Sequence, residues 1–513
     1  MTGARLINLA MGLIAIPVLI RYLGGTGFGA WAVLLALSAG FSLLEFGMPT
    51  AIVRFLAVPV RNEDWEEARS IFGSVWMILA VSFGLGFIAT LWFAAPIASW
   101  LRLPDTAMFT ARETIYVVFA AVGAKAFLQS GTYALYARRR FSAVSAVALL
   151  QPLCSNVAAV VTAWRFGRLD IAVIAYWSAQ LGVLAITFFV CRHMCMPRIG
   201  RDTLSLRRLR ELFVFGLASQ MDTCAKFVNF QFDKFIIAGL VGLWTVTPYE
   251  IANRAVVALR SVPASGVETF LPTATILQAN ENDAWTWFVS STRIAAYGVT
   301  AFMLAPLAVA PMFLYAWTGE MGYIGRWAFV ALAIGAMASV LSFPAVTLMQ
   351  AAGRPGIQGR VAAISILVNI PLSLVLVAKW GLIGAAIGTG IAMSFSAMHL
   401  LGAVHAYLNK PVGATIRLLA QFWPMLLVCL CWGALTYVLF SAWFVTLDPA
   451  VRFLRSTRVV PGFLAALVYA MCLISMLLVE LRRGTFKIEE RVFLARLIGF
   501  RWFAKPTANG RAG

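Results

Sequence analysis

The chain has few charged residues, few histidines and few cysteines. Charged side chains make up 12% of its 513 residues, whereas 61% are hydrophobic. A soluble protein carries about 25% charged residues, so this composition excludes a soluble globular protein. The 7 cysteines follow no disulfide framework. Cys191, His193 and Cys195 form a faint metal-like cluster without a second ligand pair, and we therefore expect no metal site.

Apolar runs of about 20 residues, separated by short polar joints, occupy most of the sequence. Only helices and closed barrels span a bilayer, and barrel strands show alternating runs of about ten residues instead. The sequence therefore predicts an all-α polytopic membrane protein with about 14 transmembrane helices. The predicted spans are 5–22, 29–59, 70–98, 113–137, 141–163, 170–191, 209–241, 248–277, 289–317, 325–351, 359–378, 381–407, 414–440 and 460–481.

The net charge of +20 is explained by the joints on one side of the membrane. Alternate joints place about 24 Lys and Arg on one side and about 10 on the other, which predicts that the first side and both termini are cytoplasmic. The joints are too short for an attached catalytic or nucleic-acid-binding domain, so we expect neither an enzyme nor a nucleic-acid partner. The basic tail 482–513 is expected to lie on anionic membrane lipids.

Basic residues also fall within or beside the apolar spans, where a charge costs roughly 2.5–3.5 kcal/mol on insertion scales. They are Arg54, Lys125, Lys226, Lys234, Arg254, Arg260 and Arg293. The acids at comparable depth are fewer, namely Glu45, Asp222, Asp233 and Glu268. A charge retained at that depth normally faces a wet cavity or a partner. The interior is therefore expected to be net cationic and suited to an anionic group such as phosphate.

The seventh span carries its polar residues at helical spacing. Asp222, Lys226, Asn229 and Asp233 follow i, i+4, i+7 and i+11, which predicts one shared, inward-looking face. An internal Asp222–Lys226 pair at i,i+4 is the alternative interpretation.

The second and eighth spans add two more patterns. Glu250 and Arg254 share one face of the eighth span. Glu45 and Arg54 are nine residues apart, on opposite faces of an ideal helix, with Gly47 between them. A kink near Gly47 would re-aim one toward the other.

Three motifs carry a family resemblance. The first is the segment RYLGGTGFGAWAVLLALSAGFSLLEFGMPTAIVR, from Arg21 to Arg54. The second lies at 353–389, where GR is followed by Asn369, Gly381 and the run GAAIGT, and the third is Asp233–Lys234 before LVG and Tyr249. Taken together, in their order along the chain, the three motifs resemble those of polysaccharide (Wzx-type) flippases of the multidrug/oligosaccharidyl-lipid/polysaccharide exporter superfamily.

An internal repeat accompanies the resemblance. Gly24 lies seven residues before Trp31, as Gly242 lies seven before Tyr249. Asn156 precedes Gly167 much as Asn369 precedes Gly381, and the two pairs of markers are separated along the chain by similar distances. The resemblance implies two six-helix bundles, 1–191 and 209–407, joined by a cytoplasmic basic linker at 192–208 and followed by two extra helices in 408–481. A central cavity between the bundles is expected.

The resemblance also implies a function. It implies export of an undecaprenyl-pyrophosphate-linked oligosaccharide across the bacterial cytoplasmic membrane by alternating access, without a cofactor and with H⁺ or Na⁺ as the coupling ion. Polysaccharide polymerase and co-polymerase proteins are the expected partners. The candidate diphosphate or cavity contacts are Arg54, Lys125, Lys226, Arg254, Arg260 and Arg293, and the candidate ion-coupling residues are Glu45, Asp222 and Asp233.

Two other functions remain open from the sequence. A membrane-embedded polysaccharide polymerase or glycosyltransferase needs an acid, base or histidine in a sizeable external loop, and the external joints here are short. A drug or cation antiporter of the same superfamily needs an acidic cavity, whereas the intramembrane charges here are mainly basic.

Overall fold

A computed structural model of the chain describes residues 2–192, 206–268, 281–352, 356–446 and 459–483, and the statements below concern these residues. They are helical, without a strand among them. Nine helical stretches in these ranges are long and apolar enough to cross a membrane. The predicted count of fourteen spans is not confirmed by this number, and two of the nine stretches contain a glycine with non-helical backbone angles.

The first half of the chain forms seven helices. They are α1 (Thr2–Phe41), α2 (Met48–Arg61), α3 (Trp65–Trp100), α4 (Ala111–Leu128), α5 (Ser130–Ala137), α6 (Phe141–Phe166) and α7 (Leu169–Val190), with a 3-10 turn at Ser42–Glu45 before α2. Local sequence sets several of these boundaries. Thr110 and Glu113 form a reciprocal capping box at the start of α4, and the Asp64 side chain accepts the backbone N–H of Glu67 at the start of α3.

The remaining helices are shorter or interrupted. They are α8 (Leu206–Phe227), α9 (Asp233–Leu240), α10 (Leu243–Glu268), α11 (Glu281–Val299), α12 (Ala305–Ala308), α13 (Ala310–Thr318), α14 (Glu320–Ile324), α15 (Arg326–Leu341), α16 (Phe343–Ala351), α17 (Gly356–Tyr407), α18 (Gly413–Ala420), α19 (Trp423–Thr446) and α20 (Val459–Arg483). Short π-helical segments at Val228–Phe232 and Thr300–Leu304 join α8 to α9 and α11 to α12.

Two glycines break the longest helices. Gly24 in α1 has φ 73° and Gly381 in α17 has φ 54°, a left-handed conformation that glycine adopts without a steric penalty. Gly24 lies within the predicted joint 23–28, and Gly381 is the first residue of the predicted span 381–407. Gly242 and Gly167, the repeat counterparts of Gly24 and Gly381, also have positive φ values. Both pairs of repeat markers therefore occupy the same kind of backbone joint.

By packing, the chain divides into two compact units. The first comprises 1–258, 317–339 and 354–400, and the second comprises 259–316, 340–353 and 401–513. In the second unit, α12 packs against α19 and α20 around Ala305, Cys429 and Cys472. The Thr436 hydroxyl donates there to the carbonyl of Ala308. The predicted division into two six-helix bundles stays a prediction, since repeat units and packing units need not coincide.

Candidate functional site: a buried polar cluster beside an exposed arginine

The π-helical segment between α8 and α9 changes the face on which Asp233 lies. A π turn adds one residue to the helical ring, which rotates the following residues by about a quarter turn relative to an uninterrupted α-helix. Lys226 before the segment is exposed, whereas Asp233 after it is fully buried. The prediction of one shared face is therefore wrong for Lys226 and Asp233, because it assumed a continuous α-helix, whereas Asn229 and Asp233 both contact α17. The side chain of Asp222 lies outside the described residues.

Side chains on neighbouring helices form hydrogen bonds with the π segment. The Asn253 amide on α10 donates to the carbonyl of Phe230 at 3.2 Å. The Asn229 amide oxygen accepts from Ser365 at 3.1 Å and from Asn369 at 3.0 Å, both on α17. Because these bonds run to other helices, the segment is stabilised by tertiary contacts as well as by its own backbone.

Asp233 lies at the centre of a buried polar cluster. Its Oδ2 atom accepts hydrogen bonds from the Tyr249 hydroxyl, at 2.5 Å, and from the Thr389 hydroxyl. Its Oδ1 atom is also buried and finds no hydrogen-bond donor among the described residues. A carboxylate oxygen without a donor is costly to bury. This atom is thus the position at which a proton or a small cation would relieve the cost.

Uncharged oxygens and amides extend the cluster along α17. Asn369 donates to Thr389 Oγ1 at 3.3 Å and accepts from the Ser373 hydroxyl at 2.8 Å. With Asp233, the site offers carboxylate, hydroxyl and amide oxygens, which are the ligands that hard cations prefer. Within the described ranges no group of three or more His, Cys, Asp and Glu side chains forms a metal site. His193 and Cys195 of the faint sequence cluster lie outside the described residues.

A chain of three charges lies one residue away from this cluster. Lys234 Nζ is 2.7 Å from Glu250 Oε2, and these two side chains are 1% and 2% exposed. Glu250 Oε1 accepts from Arg254 Nε at 2.6 Å, and the Arg254 side chain is 44% exposed. Lys234 Nζ also donates to Gln231 Oε1 at 2.7 Å. Two buried charges thus connect to one exposed guanidinium.

The break before α2 separates Glu45 from Arg54. Phe46 and Gly47 both have positive φ values, and the position where a Cβ on Gly47 would stand is occupied by the carbonyl of Gly216 on α8. Only glycine therefore permits this crossing of α2 and α8. Buried Glu45 interacts electrostatically with Lys125 of α4. Exposed Arg54 places its guanidinium 4.4 Å from the ring centre of Phe215.

The remaining predicted cations lie in the second unit. The Arg260 guanidinium is 5.7 Å from the ring centre of Phe343, and Arg293 lies part-buried on α11. Arg54, Lys125, Lys226 and Arg254 belong to the first unit. Of the candidate cations, Arg254 has the most extensive link to buried charge in the described contacts.

Sequence reasoning did not include Lys234 or Glu250 among the candidate site residues. The available signals were the spacing of four between Glu250 and Arg254 and the occurrence of Lys234 directly after Asp233. The Lys234–Glu250 pair itself joins two helices, so no local spacing indicated it.

Comparisons with known proteins agree with this architecture. Residues 1–278 match the family described as "Polysaccharide biosynthesis protein". A putative O-antigen transporter of Shigella flexneri is 21% identical over 394 residues, which cover 76% of this chain and 93% of that protein. The lipid II flippase MurJ, in an inward closed conformation, is similar with a TM-score of 0.67 at 15% identity, covering 93% of this chain and 99% of that one.

A second solved structure has the same fold. An inward-facing multidrug resistance MATE family transporter of the MOP superfamily is similar with a TM-score of 0.56 at 16% identity, covering 79% of this chain and 95% of that one. The predicted all-α polytopic membrane fold and the family resemblance are both confirmed.

Proposed function

The chain belongs to the polysaccharide biosynthesis protein family, and from that premise we propose that it is a flippase for lipid-linked oligosaccharides. Its substrate is an oligosaccharide repeat unit on undecaprenyl pyrophosphate, which it moves across the bacterial cytoplasmic membrane by alternating access. It performs no glycosyl transfer, both of its termini are cytoplasmic, and polysaccharide polymerase and co-polymerase proteins receive or use its product. The similarity to an O-antigen transporter and to a lipid II flippase supports this proposal.

The single observation that carries the proposal is the exposed Arg254 held beside a buried acid. A diphosphate faces a prohibitive desolvation cost in the bilayer centre, and a fixed guanidinium replaces part of its hydration with charge-assisted hydrogen bonds. Arg254 uses only its Nε atom for Glu250, at 2.6 Å. Among the described contacts, its two terminal nitrogens hold no hydrogen bond to protein and are available to a phosphate.

The same proposal assigns ion coupling to the Asp233 cluster. A proton or a Na⁺ ion at Asp233 Oδ1 would neutralise a buried carboxylate that has donors on one oxygen only. Glu45, which is buried and lies within electrostatic range of Lys125, is a second coupling candidate in the first half of the chain. Asp222 stays a candidate by sequence alone.

A drug or cation antiporter is disfavoured by charge. Such a transporter needs an acidic surface at its cavity, whereas the exposed charges on these helices include Arg54 and Arg254, and the acids Asp233 and Glu250 are buried. The fold is shared with multidrug transporters, so the sign of the exposed charge is the discriminating feature.

The test is complementation of a bacterial strain that lacks its own repeat-unit flippase. With this chain, repeat units are expected on the outer leaflet and polysaccharide at the surface. Arg254→Ala is expected to lower flipping roughly 10–150-fold, because a charge-assisted contact contributes about 1.5–3 kcal/mol. Lys379→Ala, which removes an exposed cation at the end of a helical segment, is the matched control. Unchanged flipping in well-expressed Arg254→Ala would refute the contact, and normal flipping without polymerisation would identify a polymerase instead.

A further inference from the structure

We infer that Glu250 is a positioning residue for Arg254 and that Lys234 is the counter-charge that keeps this arginine net cationic toward an anionic ligand. The inference deepens the proposed function and rests on it. The buried side chains of Lys234 and Glu250 would then make the pyrophosphate contact specific for a charged lipid head group over an uncharged one.

Glu250 fixes the direction of the guanidinium. Arg254 lies one helical turn after Glu250, and its Nε atom donates to Glu250 Oε1 at 2.6 Å. An arginine carries five N–H donors in a rigid planar fork, so engaging Nε sets the plane of the whole group. Glu250 contacts the guanidinium at Nε, and the side chain is 44% exposed. The end of the guanidinium formed by the two terminal nitrogens is therefore left for a ligand.

Glu250 alone would cancel the charge that it positions. A carboxylate in direct contact with a guanidinium forms a neutral pair, which attracts a phosphate weakly. Lys234 contacts the second oxygen of the same carboxylate at 2.7 Å. The three groups together carry one net positive charge, and the only exposed member of the three is Arg254.

A purely structural role explains less of this arrangement. Lys234 and Glu250 alone would connect α9 to α10, and an additional i,i+4 pair on a helix adds only a small stabilisation. The exposed Arg254, which contacts Glu250 through Nε, adds little to such a connection. It does provide an anion contact with a fixed orientation.

The test uses two matched double variants that carry the same net charge. Lys234→Met/Glu250→Gln retains an acceptor oxygen for Arg254 Nε, and Lys234→Met/Glu250→Leu does not. The purified full chain is placed in nanodiscs of zwitterionic lipid, and the Kd is measured for undecaprenyl pyrophosphate and for undecaprenol. The preference for the pyrophosphate lipid is expected to be roughly tenfold lower in the Leu variant, because the guanidinium loses its fixed orientation. A merely structural loss would weaken both lipids equally.

A single variant tests the counter-charge. Lys234→Met leaves Glu250 opposite Arg254, so the preference for the pyrophosphate lipid and its salt dependence are expected to fall. Lys379→Met removes one exposed cation elsewhere and is expected to leave the preference unchanged. If a double variant cannot be purified, Glu250→Asp replaces it, since it keeps the charge and withdraws the carboxylate from Nε. A lower preference in Glu250→Asp supports positioning.

Three kinds of result overturn the inference, and the third also overturns the proposed function on which it rests. Equal preference in the two double variants, or an unchanged preference in Glu250→Asp, removes the positioning role. Equal behaviour of Lys234→Met and Lys379→Met removes the counter-charge role. If the unmodified chain shows no preference for the pyrophosphate lipid, or if Arg254→Ala retains it, the proposed diphosphate contact itself is wrong.

Discussion

Removal of the Glu250 carboxylate is expected to destabilise the protein strongly. Lys234 and Glu250 are 1% and 2% exposed and 2.7 Å apart. In Glu250→Ala the Lys234 ammonium would keep, among the contacts of the described residues, the hydrogen bond to Gln231 at 2.7 Å. Breaking a buried ion pair by deleting one partner costs about 3–5 kcal/mol, because the other charge stays buried without compensation.

The structure also predicts the order of the single variants. In Lys234→Met, Glu250 retains Arg254 at 2.6 Å, so its charge stays compensated by an exposed group. This variant is therefore expected to lose less stability than Glu250→Ala. In Lys234→Met/Glu250→Met both buried charges are absent, and replacement of a buried pair by apolar groups is often neutral or stabilising by about 1–4 kcal/mol. The double variant is expected to be more stable than Glu250→Ala by several kcal/mol.

The assay is a double-mutant cycle of unfolding free energies, measured by steric trapping in detergent or bicelles. A coupling energy of a few kcal/mol between the two positions is expected. The reasoning is refuted if Glu250→Ala loses less than about 1 kcal/mol, which is the value of an exposed ion pair. It is also refuted if Lys234→Met costs more than Glu250→Ala, because Arg254 would then not compensate the acid.

The fold was predictable because its causes are local or compositional. The scarcity of charge and the repeated apolar runs indicate membrane helices without any knowledge of packing. The apolar runs also placed span boundaries close to Gly24 and Gly381, where the backbone has positive φ values that glycine adopts without a steric penalty. Two separate motifs identified from the sequence supply Thr389 on the one hand and Asp233 and Tyr249 on the other, and these three side chains are in contact.

The arrangement of the site was harder to predict, for two physical reasons. The π segment at Val228–Phe232 is stabilised by bonds from Asn253 and Asn369 on other helices, so α-helical spacing gave the wrong face for Asp233. Glu45 lies within electrostatic range of Lys125, and the Arg54 guanidinium lies 4.4 Å from the ring centre of Phe215. Those partners depend on how helices distant in sequence pack, and that information is absent from spacing along one helix.

Two adjacent contacts connect α9 to α10 and place the two candidate sites next to each other. Asp233 accepts from Tyr249, and the next residue of each helix forms the Lys234–Glu250 pair. An ion at Asp233 would thus change the charge one residue away from the lysine that compensates Glu250. Because the interior is poorly screened, a charge change at Asp233 acts on Lys234, and Lys234 contacts Glu250, which holds the exposed Arg254. This proximity is a physical route by which an ion and a diphosphate could influence each other's binding.

Three further predictions follow from individual contacts. Arg54→Ala is expected to lower repeat-unit flipping roughly 10–150-fold, because a charge-assisted contact is lost. Arg54→Lys is expected to lower it less, since lysine keeps the charge but lacks the guanidinium fork. Measurement of repeat units on each leaflet tests this, and flipping rates equal to those of the unmodified chain would make Arg54 structural. Thr436→Val removes the hydroxyl that donates to Ala308 and is expected to lower the unfolding free energy by about 0.5–1.5 kcal/mol with flipping retained. Asp233→Asn keeps one oxygen for the Tyr249 and Thr389 hydroxyls and replaces a buried carboxylate, whose Oδ1 lacks a donor, by an uncharged amide, so the variant is expected to fold normally. Because the amide carries no charge, its flipping in membrane vesicles is expected to become insensitive to imposed H⁺ and Na⁺ gradients, and a response equal to that of the unmodified chain would exclude Asp233 as the coupling residue.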